Sequence, residues 1–378
     1  MSQTEVQLIK NGAVVDADIN GMSSSKLSGA LPAISGASLT NLPTPAGKVR
    51  NLIIIGAMQV AQRGTSSTTN GYGSVDRYRV FFTGLDESPT QAQADVAAGT
   101  TPYTSGFRKC LKVTNGNQTS GAGAGDYLVI RQTLEAQDIA NSGWNYTDSN
   151  SKITLQFWVK SSVAQNFYGR LQTQDGTTYS YPFETGSLSA DTWTKITKTI
   201  PGNSNLTFNN DNGGGLRVEV VPFYGTDYTA SPSLDTWAAF SSGSRTPDYT
   251  STWYTTNDAT LEITGVQLEV GSVATDFEHR SFAQELALCQ RYFQRIECAQ
   301  MYMMIIRTSD MQHRLILNHP VTMRTTPTST IVTSSADSGP AITVESGTSA
   351  DTIKFRQGPN SVSGSAPSVS EYTVDSEL

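Results

Sequence analysis

Charge is scarce in this chain: Asp, Glu, Lys and Arg make up 16% of its 378 residues, against about a quarter in ordinary soluble domains. With Gly, Ser and Thr abundant in their place, a helical bundle is excluded, since its faces need strong helix formers. Cysteine is nearly absent. Cys110, Cys289 and Cys298 are odd in number, far apart and without a CxxC pair, which excludes a disulfide framework and a zinc knuckle and leaves them as small buried apolar groups. Histidine is equally rare, and His279, His313 and His319 fall in no HxH or HExxH spacing. The longest apolar runs, 52–61 and 301–306, are far short of the roughly 20 residues a bilayer demands, so membrane insertion is not expected. The start, MSQTEVQLIKNG, shows no secretory signal, which points to a soluble protein made in a cytoplasm. A net charge of −7 repels phosphate backbones, so nucleic acid is not an expected partner.

Residues 1–48 contain no aromatic side chain at all. A segment of this kind has no core of its own. Within it, KLSGALPAISGASLTNLP (26–43) spaces Leu27, Leu31, Ile34, Leu39 and Leu42 among Gly, Ser and Pro. One chain cannot bury so sparse a set, but three copies around an axis can, with Gly permitting close approach.

From 49 to about 280 the chain alternates strand-like runs with Gly, Asn, Asp and Ser turns. The runs are LIIIGAMQV (52–60), RYRVFFTG (77–84), FRKCLKVTN (107–115), DYLVIRQTL (126–134), ITLQFWVKS (153–161), NFYGRLQTQ (166–174), WTKITKTI (193–200), GLRVEVVPF (215–223) and ATLEITGVQLEV (259–270). In ITLQFWVKS, Ile153, Leu155, Phe157 and Val159 share one face and Thr154, Gln156, Trp158 and Lys160 the other. The pattern predicts a mainly β protein with an antiparallel jelly-roll sandwich. One boundary helix is predicted over 281–297, opened by the capping pair Ser281 and Gln284. Its stripe of Phe282, Leu286, Cys289, Phe293 and Ile296 has heptad spacing, and either packs on the sandwich or meets copies of itself at a trimer axis. Residues 298–378 return to short strands and predict a small C-terminal β domain whose edges need covering.

Catalytic parts are thin. Asp175, Glu184, Asp211, Glu219, Asp258, Glu262 and Glu269 supply carboxylates for glycoside hydrolysis only if two of them face each other, and surface acids are the default. NNDNGGG (209–215) lacks the Lys-Ser/Thr ending of a phosphate loop and the DxDxDG spacing of a calcium loop, and is predicted to be a turn. No enzyme activity, metal or cofactor is therefore expected. The late stretch 223–256 is rich in rings among short polar side chains, the mixture that sugar sites use. Tyr228, Trp237, Tyr249, Trp253 and Tyr254 are the glycan-binding candidates, with filling of the sandwich end or of a subunit interface as the alternative. Trp158 and Trp193, on regular strands, are assigned to packing.

NLIIIGAMQVAQRGT with YGSVDRYR (72–79), and ITGVQLEVGSVATDFEHRSFAQELALCQRYFQR (263–295), resemble the opening and close of a carbohydrate-binding-module-like jelly roll widespread in tailed-phage fibre proteins. LNHPVTMRTTPT (317–328) is similar to a motif of the small β domain that follows in such fibres, and 26–43 resembles a shaft element. The resemblance implies a virion protein, a homotrimeric tail fibre or spike attached to other tail or portal-proximal proteins through 1–48, that contacts host cell-surface polysaccharide. A head fibre or capsid decoration protein, and a polysaccharide depolymerase, stay open as alternatives. The sequence departs from related sugar-binding jelly rolls at Gly265, where many carry an acidic residue; that disfavours a calcium site.

Overall fold

The alternation in ITLQFWVKS sets the pattern of the main body: Ile153, Leu155, Phe157 and Val159 are all buried, while Trp158 and Lys160 face outward and are only half-covered. The structure is a computed structural model and describes residues 50–302, 313–335, 341–345, 347–357 and 368–378. Leu27, Leu31, Ile34, Leu39 and Leu42, with the shaft assigned to them, lie outside the described residues. Residues from Val49 to Leu378 cluster as one unit.

In chain order the sandwich holds β1 (Ser66–Ser67), β2 (Arg79–Thr83), β3 (Thr90–Asp95), β4 (Lys109–Thr114), β5 (Tyr127–Glu135) and β6 (Lys152–Ser161). It continues with β7 (Asn166–Thr173), β8 (Tyr179–Ser187), β9 (Thr194–Pro201), β10 (Gly214–Tyr224), β11 (Ala238–Ala239) and β12 (Thr260–Val270). Single-turn helices α1 (Thr101–Thr104), α2 (Ala136–Ala140) and α3 (Thr252–Thr255) punctuate the loops. One six-stranded sheet runs β1-β3-β4-β12-β6-β9 and the other β11-β8-β7-β10-β5-β2, with neighbours antiparallel. Their inner faces enclose one large core, from Leu128 and Ile130 on one side to Leu261 and Ile263 on the other. The protein is thus mainly β, a two-sheet antiparallel sandwich of jelly-roll type, followed by one longer helix and a smaller β body.

The run LIIIGAMQV is not a strand. Ile53, Ile55, Met58 and Val60 are buried as a strand's would be, but the backbone turns, with Ile55 and Met58 at φ of 56° and 58°. Side chains replace the ladder: Ile54 N donates to Gln132 Oε1 (3.0 Å), Ile55 N to Glu285 Oε2 (2.7 Å) and Ile53 N to Asn51 Oδ1 (3.0 Å). Gly56 sits so close to the Val266 carbonyl that a Cβ would lie 2.0 Å from its oxygen, which lets the segment rest on the register break of β12 between Thr264 and Gln267. Strands β3 and β8 were not predicted, because TQAQAD lacks large apolar residues and YSYPFETGS carries Pro182 inside the run.

The longer helix, α4 (Phe282–Gln290), is shorter than the predicted 281–297. Its start is as predicted, with Ser281 and Gln284 forming a complete capping box. Its end comes early because β13 (Phe293–Tyr302) begins almost at once and takes Phe293 and Ile296 into a sheet. The five-residue stripe therefore does not exist as one helical face: Cys289 is buried, Leu286 packs on the sandwich core and Phe282 is 56% exposed.

The smaller body continues with β14 (His313–Asn318), β15 (Thr328–Ser335), β16 (Ile342–Val344), β17 (Thr352–Gln357) and β18 (Ser368–Asp375). Its strands form the three-stranded sheets β13-β18-β15 and β14-β17-β16 around Phe355, Ile353, Val369, Tyr372 and Val374. Ionic contacts tie it to the sandwich. Buried Arg77 pairs with Glu377 and lies 3.3 Å from the Tyr292 ring centre, Arg63 pairs with Asp375 at 2.9 Å, and Arg291 pairs with Glu135 at 2.7 Å.

Candidate functional site

Alternation along β6 sends Gln156 and Trp158 out of the core, onto the outer face of the sheet that contains β12 and β9. There Trp158 stands between Thr264 and Lys195. The chain after β12 returns over this face and brings Asp276, Phe277 and His279 beside them. The result is a cleft of about 480 Å³ whose lining includes Gln156, Trp158, Lys195, Asp276, Phe277 and His279.

The rim is held by buried polar groups. Glu269 accepts from Thr275 N (2.8 Å) and Thr275 Oγ1 (2.6 Å), and Glu278 N donates to Gln267 Oε1 (2.8 Å). His279 Nε2 donates to the Ser105 carbonyl at 3.0 Å, and its ring packs with Phe277 and Phe107 at centroid distances of 4.9 and 5.2 Å. Gly265 lines the same cleft at φ 63°, and a Cβ there would meet the Phe107 ring at 2.7 Å. The position expected to carry an acid in related folds is thus closed to any side chain here.

Gln156 is the distinctive group. It is only 2% exposed, and its Nε2 donates to Thr275 O at 2.7 Å while its Oε1 has no partner. A buried acceptor left unpaired costs about 1–3 kcal/mol. Trp158 supplies the flat apolar surface beside it, and Lys195 and Asp276 supply exposed charges of opposite sign.

Nucleophilic and acid–base chemistry finds little here. Burial, with Glu262 beside it, pushes the Cys110 thiol up to about 12, leaving no thiolate at neutral pH. Glu262 pairs with Lys160 at 3.0 Å, Glu269 is committed to Thr275, and Glu219 lies on the opposite sheet between two arginines. Among the described residues no group of three or more His, Cys, Asp or Glu side chains converges to hold a metal ion.

The structure corrects the assignment of the late aromatic residues. Trp253 and Tyr254 are fully buried and Trp237 is 7% exposed. Their polar atoms are satisfied inside: Trp253 Nε1 donates to Thr260 O (3.0 Å), Trp237 Nε1 to Pro201 O (2.7 Å) and Tyr254 Oη to Asp126 (2.9 Å). These rings belong to the sandwich core, Trp237 near the start of β6 and Trp253 near its end, and present no surface to a glycan. Tyr228 and Tyr249 are half-buried over the outer face of the second sheet, where Tyr249 Oη donates to Val221 O at 3.1 Å. Composition marked the right kind of residue but not its exposure. Trp158 and Trp193 pack against the buried cluster of Ala57, Val96, Phe107 and Cys110, as assigned, and the half-buried Trp158 also lines the cleft.

No protein-family model and no curated protein matches the sequence. Among solved structures the chain is similar to an arabinose-bound GH51 α-L-arabinofuranosidase, at 9% identity and a TM-score of 0.32, covering 58% of this chain and 26% of that one. It is similar to a family 4 carbohydrate-binding module at 10% identity and a TM-score of 0.29, covering 57% of this chain and 97% of the module. A third is the N-terminal cellulose-binding domain of a Cellulomonas fimi β-1,4-glucanase, at 10% identity and a TM-score of 0.26, covering 57% and 99%. Scores this low carry no assignment of function, and the fold stands on the sheets themselves.

Proposed function

We propose that this chain is a carbohydrate-binding virion protein, a homotrimeric tail fibre or spike of a tailed phage that contacts host surface glycans during adsorption. The observation that carries the sugar-binding part is the cleft lined by the half-buried Trp158 ring together with Gln156, Asp276 and Lys195. In this reading a pyranose lays its apolar face on the ring, and its hydroxyls meet Gln156, Asp276 and Lys195. The fibre part is supported by the resemblance of 26–43 to a shaft element and by the sparse apolar spacing of Leu27, Leu31, Ile34, Leu39 and Leu42. Three weak sites on one particle gain by multivalency, which suits reversible search of a cell surface.

Trp158→Ala is expected to weaken binding on a glycan array by about tenfold, a loss of about 1.4 kcal/mol, with the far-ultraviolet circular dichroism unchanged. Equal binding by the variant would remove the cleft from the reading. Mass photometry of the full chain is expected to give the mass of three chains. A single-chain mass at micromolar concentration would overturn the trimer while leaving the cleft untouched.

A further inference from the structure

The outer face of the second sheet concentrates positive charge. Across neighbouring strands, Arg79 of β2 is registered with Arg131 of β5, Arg131 with Glu219 of β10, and Glu219 with Arg170 of β7. On the next rung Thr133, Arg217, Gln172 and Ser180 stand side by side. Adjacent strands lie about 4.8 Å apart, so these side chains form two parallel polar rows. Glu219 is the one carboxylate in them, and it serves Arg131 and Arg170. Among the described residues no salt bridge reaches Arg79 or Arg217. Other acids on this side include Glu135, two residues beyond Thr133 and paired with Arg291, Glu184, registered with Tyr168 on the rung beyond Arg170, and Asp248, which accepts from Thr229.

Several buried polar atoms on these rows have no partner: Arg217 Nε, Arg170 Nη1, Gln172 Oε1 and Ser180 Oγ. Gln172, Ser180 and Arg170 are 5%, 7% and 1% exposed, so solvent satisfies none of them freely. Burial, and then the charges of Arg131, Arg170 and Arg79, push the Arg217 guanidinium down to about 10, which still leaves it protonated at neutral pH. Phe81 lies under this edge, with the Arg131 and Arg79 guanidinium carbons 4.2 and 5.3 Å from its ring centre.

We infer that this face is a second binding site, and that it takes an anionic saccharide chain whose acidic groups pair with Arg79 and Arg217 and whose hydroxyls meet Gln172 and Ser180. The guanidinium fork matches a carboxylate, sulfate or phosphate in two bonds. An amide and a hydroxyl on the same rung suit sugar hydroxyls, for which an ion-only site has no use. Duplex nucleic acid fits less well: it carries a charge every 1.7 Å or so, and beyond the rows it meets a protein of net charge −7. A saccharide with one acid per sugar or per repeat places charge only where the arginines are. This site lies on the opposite sheet from the Trp158 cleft and does not depend on it.

The test is affinity electrophoresis of the full chain in gels containing polygalacturonate, dextran sulfate, neutral dextran or duplex DNA. Retardation is expected with polygalacturonate or dextran sulfate, and the stronger of the two identifies the acid. It should weaken with added salt, weaken about tenfold in the Arg79→Ala/Arg217→Ala variant, and persist in Trp158→Ala. Retention of full binding by the arginine variant, equal retardation by neutral dextran, or tighter binding of DNA would each overturn the inference. If the double variant melts early, the wild-type salt titration and Arg217→Lys, which keeps charge but loses the fork, decide: binding indifferent to both overturns it.

Discussion

Trp253→Ala is expected to destabilise the protein by about 3–5 kcal/mol, the usual cost of emptying a core of a large ring. The side chain is fully buried, packs edge-on to Phe167 at 6.3 Å between centroids, and donates through Nε1 to Thr260 O. Truncation leaves a cavity at the end of the sandwich, and the Thr260 carbonyl keeps its bond from Ser162 N at 3.0 Å, so the emptied volume sets the cost. The measurement is a urea titration in which the midpoint falls with little change in slope. An unchanged midpoint would mean that the ring is a surface feature after all. The contrast with Trp158→Ala is informative, because that variant should lose ligand while keeping its fold.

Glu219→Gln is expected to cost a similar amount, about 3–5 kcal/mol, because it leaves buried guanidinium charge without its counter-ion. Glu219 is fully buried and takes hydrogen bonds from Arg131 Nε, at 2.5 Å, and from Arg170. Burial alone would raise its pKa, but Arg170 and Arg131 outweigh that and hold the carboxyl down at about 2, against an ordinary 4.5. A depressed carboxyl stabilises the fold above its unfolded pKa. That contribution, on the order of 3 kcal/mol, is present above about pH 4.5 and is lost as the pH falls through about 2. Thermal melts from neutral pH into acid should therefore show a decline in the wild type that is blunted in Glu219→Gln. A variant with wild-type stability at neutral pH and the same acid decline would show that the arginines find their balance elsewhere.

Much of the architecture was legible. The period-two alternation of 153–161, the capping pair at Ser281 and the turn-bounded runs all rest on local physics, in which a residue's neighbours along the chain decide its geometry. The failures are equally specific. In 52–60 the apolar pattern of a strand is present, yet side chains of Asn51, Gln132 and Glu285 take the amides that a neighbouring strand would have taken. The heptad stripe beyond Gln290 gave way because pairing with β18 claimed Phe293 and Ile296. Tertiary pairing won over a helical period in one place, and side-chain capping over a strand period in the other.

The sequence by itself determined that this is a β protein with little charge, that β6 turns one face inward and one outward, and that the longer helix begins at its Ser281 cap. Only the tertiary structure decided which aromatic rings are core and which line a cleft, since exposure depends on what the rest of the chain lays over a residue. It also decided the arginine rows, whose members come from β2, β5, β7 and β10. Strands far apart in the chain become neighbours only when two sheets bury their inner faces together, and that burial, not any local motif, puts Arg79, Arg131 and Arg217 side by side.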